Sequence, residues 1–396
     1  MKWAFWDTRR GGFEIYPASA RARFDITLLL VILGLILFGV VIVYSATSPL
    51  AGSPRFPNIS HDYFLQRHLI FVVVGFTAAL ITIFIPTRLL ERVKWYVLFG
   101  IAVSLLVLVL VPNIGYEVNG ARRWIRLGPL NVQICEIVKL LSLIIAAQYA
   151  STHQYFMHSF YKLFPLFTYT IVVMVLLGFQ PDLGSAFVCG LIIGGMLFLA
   201  GLSYRILMPL GVLTVAGVVA GVVLSPWRLL RLMAYLNPWD PEYVMGKGYQ
   251  LGHSMVAFSR GQVTGLGLGG SVEKLNYLPE AHTDFILSIV GEELGFVGIV
   301  IVITAFYFVI RRCFEIGRRA IRLERFFPGM LAQGVGIWVG VQTVINVGVA
   351  CGLFPTKGLT LPFLSYGGSS LVVMCCAMAL VLRVDYENRR LMFGGH

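Results

Sequence analysis

Five titratable side chains, Glu280, His282, Asp284, Glu292 and Glu293, fall within fourteen residues of the stretch Leu278-Pro-Glu-Ala-His-Thr-Asp-Phe-Ile-Leu-Ser-Ile-Val-Gly-Glu-Glu-Leu-Gly295. They sit where a long polar segment runs into an apolar one. Carboxylates and an imidazole at such a boundary can take or give a proton. Charge held beside hydrocarbon is costly, so it marks a functional site by default. The alternative is local: Thr283 or Asp284 is a good N-cap for the helix that should follow.

The elements that position these residues must be membrane helices. The chain has 396 residues, of which 58% are hydrophobic and 13% charged, with a mean hydropathy of +0.81. Soluble domains carry about 25% charged residues, so a soluble enzyme is excluded. The net charge of +12 fits cytoplasmic loops obeying the positive-inside rule better than a nucleic-acid partner. The six cysteines form no CxxC pair and read as small buried hydrophobes, without a disulfide framework or a zinc site. No cleavable leader is apparent, because the apolar run from Ile26 is long enough to span.

The expected fold is all-α and polytopic. Ten stretches approach the ~20 apolar residues of a span: about 26–45, 68–86, 95–112, 134–150, 165–180, 184–201, 206–225, 285–310, 329–350 and 364–383. They imply a cytoplasmic segment 1–25, a transmembrane domain 26–385, a long outside loop 226–284 between the seventh and eighth helices, and a cytoplasmic tail 386–396. Lys and Arg crowd the inside segments when the N-terminus is placed inside, which puts both termini in the cytoplasm and Asp284 outside. The Arg-rich run 311–327 reads as a topology anchor near anionic lipid.

Polar surprises collect on the outside face. Asn119-Gly-Ala-Arg122-Arg123-Trp124-Ile-Arg126 sets three arginines and a tryptophan against the positive-inside trend. Guanidinium groups bind phosphate bidentately, so the stretch reads as a lipid-headgroup binder or as an interfacial anchor. Glu136 and Lys139 are i, i+3 partners near a helix start, a structural salt bridge unless they face a polar cavity. Gln180-Pro-Asp182 breaks the chain between two spans, as a kink with an Asp cap. Trp227-Arg228-Leu-Leu-Arg231 looks amphipathic and suited to the interface. The glycine-dense run Gly261–Gly270 lacks the strand-turn-helix context and the Gly-Lys-Ser/Thr ending of a nucleotide site. Its glycines allow tight turns or close approach to a large substrate. Lys357, in the last outside loop, is a candidate phosphate contact. The Gly367-Gly-Ser-Ser370 run after it suits close helix packing.

Taken together, Asn119–Trp124, Leu278–Phe285, Gly291-Glu-Glu-Leu-Gly295 and Leu361-Pro-Phe-Leu-Ser365-Tyr-Gly-Gly-Ser-Ser370 resemble the SEDS family (shape, elongation, division and sporulation). Pro355-Thr-Lys-Gly-Leu-Thr-Leu-Pro362 looks more like the division branch than the elongation branch. Where family members carry Pro-Ala-Glu or Pro-Ser-Glu, this chain has Ile134-Cys135-Glu136.

The resemblance implies a ten-helix peptidoglycan glycosyltransferase that polymerises lipid II on the outer face of the bacterial cytoplasmic membrane during division. It also implies a class B penicillin-binding protein as partner, with other division membrane proteins. The family's catalytic Asp maps onto Asp284. On this reading Asp284 takes the proton of an attacking sugar hydroxyl, and His282 is the alternative base or a positioning group. The leaving undecaprenyl pyrophosphate meets cations drawn from Arg122, Arg123, Lys139 and Lys357, with Trp124, Glu136 and Ser365 completing the substrate-binding set. A divalent cation, Mg or Mn, is the alternative source of positive charge, although no metal ligands are assigned. The competing functions are a flippase for the lipid-linked precursor, against which the absence of an internal repeat speaks, and a non-catalytic division scaffold.

Overall fold

The computed structural model describes residues 24–51, 59–118, 120–128, 130–154 and 159–392. Most of the proposed segment 1–25, together with Arg55, Asn119 and the last four residues of the tail, lies outside the described residues.

All ten apolar stretches fall on helices: α1 (Ile26–Thr47), α2 (Tyr63–Ile83), α4 (Trp95–Leu110), α5 (Ile134–Thr152), α6 (Phe160–Phe179), α7 (Leu183–Leu199), α8 (Tyr204–Val223), α11 (Ile286–Arg322), α12 (Phe326–Ala350) and α13 (Gly368–Met392). A short α3 (Thr87–Arg92) follows α2. Seven of these, α1, α2, α5, α6, α11, α12 and α13, are long and apolar enough to cross a membrane. The apolar α4 and α7 are shorter, at 16 and 17 residues. α12 packs against α5, α7, α11 and α13, while α13 lies along α2. The core therefore runs down the middle of the bundle, and the apolar outer faces of α1, α2 and α6 stay exposed.

Two regions depart from the sequence expectation. The long loop 226–284 contains, besides α9 (Pro226–Leu236) at the amphipathic Trp227–Arg231 stretch, an unexpected second helix, α10 (Tyr249–Gly261). The residues around the Arg-Arg-Trp motif form a three-stranded antiparallel sheet, β1 (Gly115–Val118), β2 (Ala121–Leu127) and β3 (Leu130–Gln133). Tight turns with Gly120 and Gly128 at positive φ join the strands, as two-residue hairpins require. The sheet is tied to α13: the Ser369 hydroxyl accepts from Gln133 N at 2.9 Å and donates to Asn131 O at 3.0 Å.

The glycine-dense run has a structural explanation. α11 is broken at Gly295, which has φ 65° and ψ −163°. Across this break the helix exchanges its own hydrogen bonds for bonds to the run 262–267. Glu292 O and Glu293 O accept from Leu266 N (3.0 Å) and Gly267 N (2.9 Å), while Phe296 N and Val297 N donate to Gln262 O (2.9 Å) and Val263 O (3.1 Å). The backbone that might have approached a substrate approaches α11 instead. The side chains reinforce this docking. Glu292 accepts from the amides of Val272 (3.0 Å) and Glu273 (3.3 Å). Glu293 accepts from Lys274 Nζ at 2.8 Å and Ser45 Oγ at 2.6 Å. Both glutamates, counted among the five titratable groups, hold the loop in place.

Gly265 carries the tightest constraint, with φ +78° and an added Cβ only 2.2 Å from Glu293 O. Gly265→Ala should therefore destabilise by about 3 kcal/mol or more. Gly211→Ala, at a position of α8 with open space around it, should not destabilise. Thermal unfolding midpoints of the purified variants in detergent check the difference. Equal midpoints would mean that the loop yields.

Candidate active site

α11 starts at Ile286 with Phe285 in the cap position and no side-chain cap bond. The expectation that Thr283 or Asp284 caps this helix is therefore corrected. The Thr283 hydroxyl turns back to Glu280 O at 3.2 Å, and the Asp284 carboxyl is left available.

Backbone contacts hold Asp284 in place. Its N–H donates to Glu280 O at 3.1 Å across a turn in which Glu280 has φ +54°. Asn346, buried on α12, donates from Nδ2 to Asp284 O at 2.9 Å and to Leu359 O at 2.6 Å. One amide thus clamps the Asp284 turn to the loop carrying Lys357. The Asp284 carboxyl lies directly over Gly358, where a Cβ would come within 2.8 Å of Oδ2.

Asp284 is packed on most sides by protein yet still reaches solvent. Burial, and secondarily the charge of Glu280, push its pKa up to about 7 against the opposing pull of Arg123 and Arg231. A carboxyl poised there is a competent proton acceptor near neutrality.

The cations come from three elements. Arg123, on β2, donates from Nε to Gln180 O at 3.0 Å and from an Nη to Pro181 O at 2.6 Å. It thereby ties the sheet to the break before α7, where Asp182 Oδ1 caps the helix by accepting from Ser185 N at 3.1 Å. Arg231, on α9, stacks over the Trp227 ring at 4.4 Å and points Nη1 toward Thr356 O at 3.4 Å. Lys357 lies 5.5 Å from the Phe187 ring centroid. Burial lowers the Lys357 pKa, Asp182 opposes this, and the neighbouring Arg228 and Arg231 add to the lowering. Arg123, Arg228, Arg231 and Lys357 thus gather around Asp284 and Asp182 on one end of the bundle. Such a field suits an anionic group placed next to a base.

The other expected residues are distributed differently. Arg122 projects from β2 opposite to Arg123, as strand alternation demands, and pairs at the surface with Glu117 at 3.0 Å. Trp124 shares that face of β2. The His282 ring sits among aromatic rings, 5.5 Å from Phe64 and 5.6 Å from Tyr366 between centroids. The Ser365 hydroxyl accepts from Leu361 N at 2.8 Å and closes a turn. Glu136 and Lys139 form a fully buried pair at 2.7 Å within α5, with Lys139 Nζ 5.7 Å from the Trp338 ring. The second carboxylate oxygen of Glu136 has no hydrogen-bond partner among the described residues.

Breaking that buried pair leaves an uncompensated charge. Lys139→Met should cost about 3–5 kcal/mol, and adding Glu136→Gln should recover much of it. Unfolding midpoints of the single and double variants read this directly, and a double variant less stable than Lys139→Met would contradict it.

Arg228 and Arg231 were missed as site residues by sequence reasoning, which assigned them to an interfacial helix. Their signal was the arginine pair itself, on one face of a short amphipathic stretch beside Trp227, a chemistry suited to phosphate as much as to an interface. Among the described residues, no three His, Cys, Asp or Glu side chains converge as a metal site. The described residues thus form no ready cation cage.

This is a multi-pass membrane protein with a carboxyl of raised pKa, Asp284, set near cations at a helix start. Residues 26–390 match the family model described as "Cell cycle protein", covering FtsW, RodA and SpoVE, and the chain belongs to that family. A relative from Burkholderia thailandensis, named "Probable peptidoglycan glycosyltransferase FtsW", is 52% identical over 95% of this chain and 82% of its own length. A Nitrosomonas europaea relative of the same name is 43% identical, over 92% and 93%. Among solved structures, one titled "Structural coordination of polymerization and crosslinking by a peptidoglycan synthase complex" superposes with a TM-score of 0.74 at 30% identity, over 92% of this chain and 98% of that one. The rod shape determining protein RodA of Thermus thermophilus gives 0.65 at 29%, over 93% and 97%.

Proposed function

We propose that the protein is a peptidoglycan glycosyltransferase that polymerises lipid II during cell division, with Asp284 as general base. The observation that carries this is the Asp284 carboxyl itself, free of capping duty, raised to about 7 against the pull of Arg123 and Arg231, with Lys357 beside Arg231. Family membership supplies the substrate class, and the relatives named FtsW favour the division role.

In the proposed step, an acceptor sugar hydroxyl attacks the anomeric carbon of the growing strand. Its proton passes to Asp284 as the new C–O bond forms, and the bond to undecaprenyl pyrophosphate breaks. The pyrophosphate leaves toward the cations of Arg123, Arg231 and Lys357, which stabilise the developing charge. His282, surrounded by Phe64 and Tyr366, serves better as part of the wall than as the base. Both termini lie in the cytoplasm and the Asp284 site at the outer face. The partner is a class B penicillin-binding protein that cross-links the product, in the company of other division membrane proteins.

Purified protein should convert lipid II into glycan strands visible on a gel, alone or with its penicillin-binding partner. No strands in either case, under conditions where a known polymerase works, would overturn the assignment.

A further inference from the structure

We propose that the protein binds a phosphoryl group in a second, arginine-lined pocket at the end of the bundle away from Asp284. The pocket has a volume of about 180 Å³ and opens where α3, the start of α12 and the end of α13 meet. Arg88, Arg325, Arg383 and Arg390 line it, with Glu387 as the one carboxylate. Four positive charges against one negative leave a surplus of three. α13 starts beside the Asp284 loop, where Tyr366 N donates to His282 O at 2.9 Å. Its Arg383–Arg390 end lies roughly 20–35 Å further along the helix axis, so this pocket is separate from the candidate active site.

The pocket is built, not incidental. Glu387 accepts from Arg325, from Arg383 Nε at 2.8 Å and from Thr87 N at 3.1 Å. Arg325 also donates to Asn388 Oδ1 at 3.0 Å, and Arg383 donates to Ile83 O at 3.3 Å. Two guanidinium groups are thus fixed by one carboxylate. Arg88 adds a third, which makes no hydrogen bond or ion pair among the described residues, and Arg390 adds a fourth. Guanidinium forks match phosphate oxygens bidentately. Like charges gathered in one cavity repel unless an anion joins them. The apolar Pro86 and Leu391 at its edge suit a ligand with an acyl-chain side.

The ligand chemistry is a phosphate group, which either an anionic phospholipid headgroup or free phosphate can supply. The test is thermal unfolding of delipidated protein in detergent at constant ionic strength, titrated separately with phosphatidylglycerol, phosphatidylcholine and inorganic phosphate. A stabilising shift with phosphatidylglycerol but not with phosphatidylcholine or phosphate identifies a headgroup site. A shift with inorganic phosphate identifies a free-phosphate site. The double variant Arg88→Gln/Arg390→Gln should raise the half-maximal ligand concentration about thirtyfold, as expected for two arginines facing anionic lipid. Arg88→Lys/Arg390→Lys should retain most of the binding, which separates lost charge from lost folding. Equal shifts with both lipids and none with phosphate, or an undiminished response in the glutamine variant, would overturn the proposal.

Discussion

Replacing Asp284 by asparagine should lower the rate of glycan strand formation by about 10²–10⁴-fold, the usual contribution of a general base, while leaving the protein folded. The fold should survive because the turn is held through main-chain atoms: Asp284 N on Glu280 O, and Asp284 O under Asn346 Nδ2. The carboxyl caps no helix, so removing its charge takes away no structural bond. The amide is close in size and cannot accept the proton. Burial already disfavours the charged carboxylate, so the neutral amide should not lower the unfolding midpoint. Strand synthesis by the folded variant at more than a tenth of the wild-type rate would move the base elsewhere.

The second large effect is expected at Arg231. Its guanidinium is held by the Trp227 ring and by Thr356 O, next to Lys357, and its charge pulls the Asp284 pKa down. Arg231→Gln should cost about 10²-fold in kcat, the scale of losing one transition-state donor. The sign of its pH effect follows from electrostatics. Removing a nearby cation disfavours the Asp284 carboxylate, so its pKa rises and the acidic limb of the rate profile moves to higher pH. Arg231→Lys should keep that limb near its wild-type position while losing part of the rate. A lower rate with an unmoved acidic limb in Arg231→Gln would mean that Arg231 acts through the packing of α9 alone.

Much of the bundle was legible from hydropathy because apolar runs of sufficient length have few alternatives to a helix in lipid. The sheet was not, although Asn119-Gly120 is a hairpin signal, because β1 and β3 have only four residues each and carry little alternation of their own. Alternation in β2 then divides two arginines that look equivalent in sequence, sending Arg123 to Gln180 and Pro181 and Arg122 to Glu117. Glu292 and Glu293 looked like Asp284, yet a break at Gly295 and the docking of residues 262–267 turn them into anchors. Pattern reading cannot see such a bond exchange, because it depends on two segments about thirty residues apart in sequence meeting backbone to backbone. For Asp284, only the place at a polar–apolar boundary, just ahead of α11, was legible. Its surroundings were not, because Arg231 and Asn346 reach it from α9 and α12.

The measurement that tests the central claim most directly is the pH dependence of kcat/KM for lipid II polymerisation by the wild-type protein. A general base acts in its unprotonated form, and burial raises the Asp284 pKa to about 7. The rate should therefore fall about tenfold per unit as pH drops below that value and level off above it. A rate that stays flat down to pH 5, with the protein still folded, would contradict a buried Asp284 acting as the base.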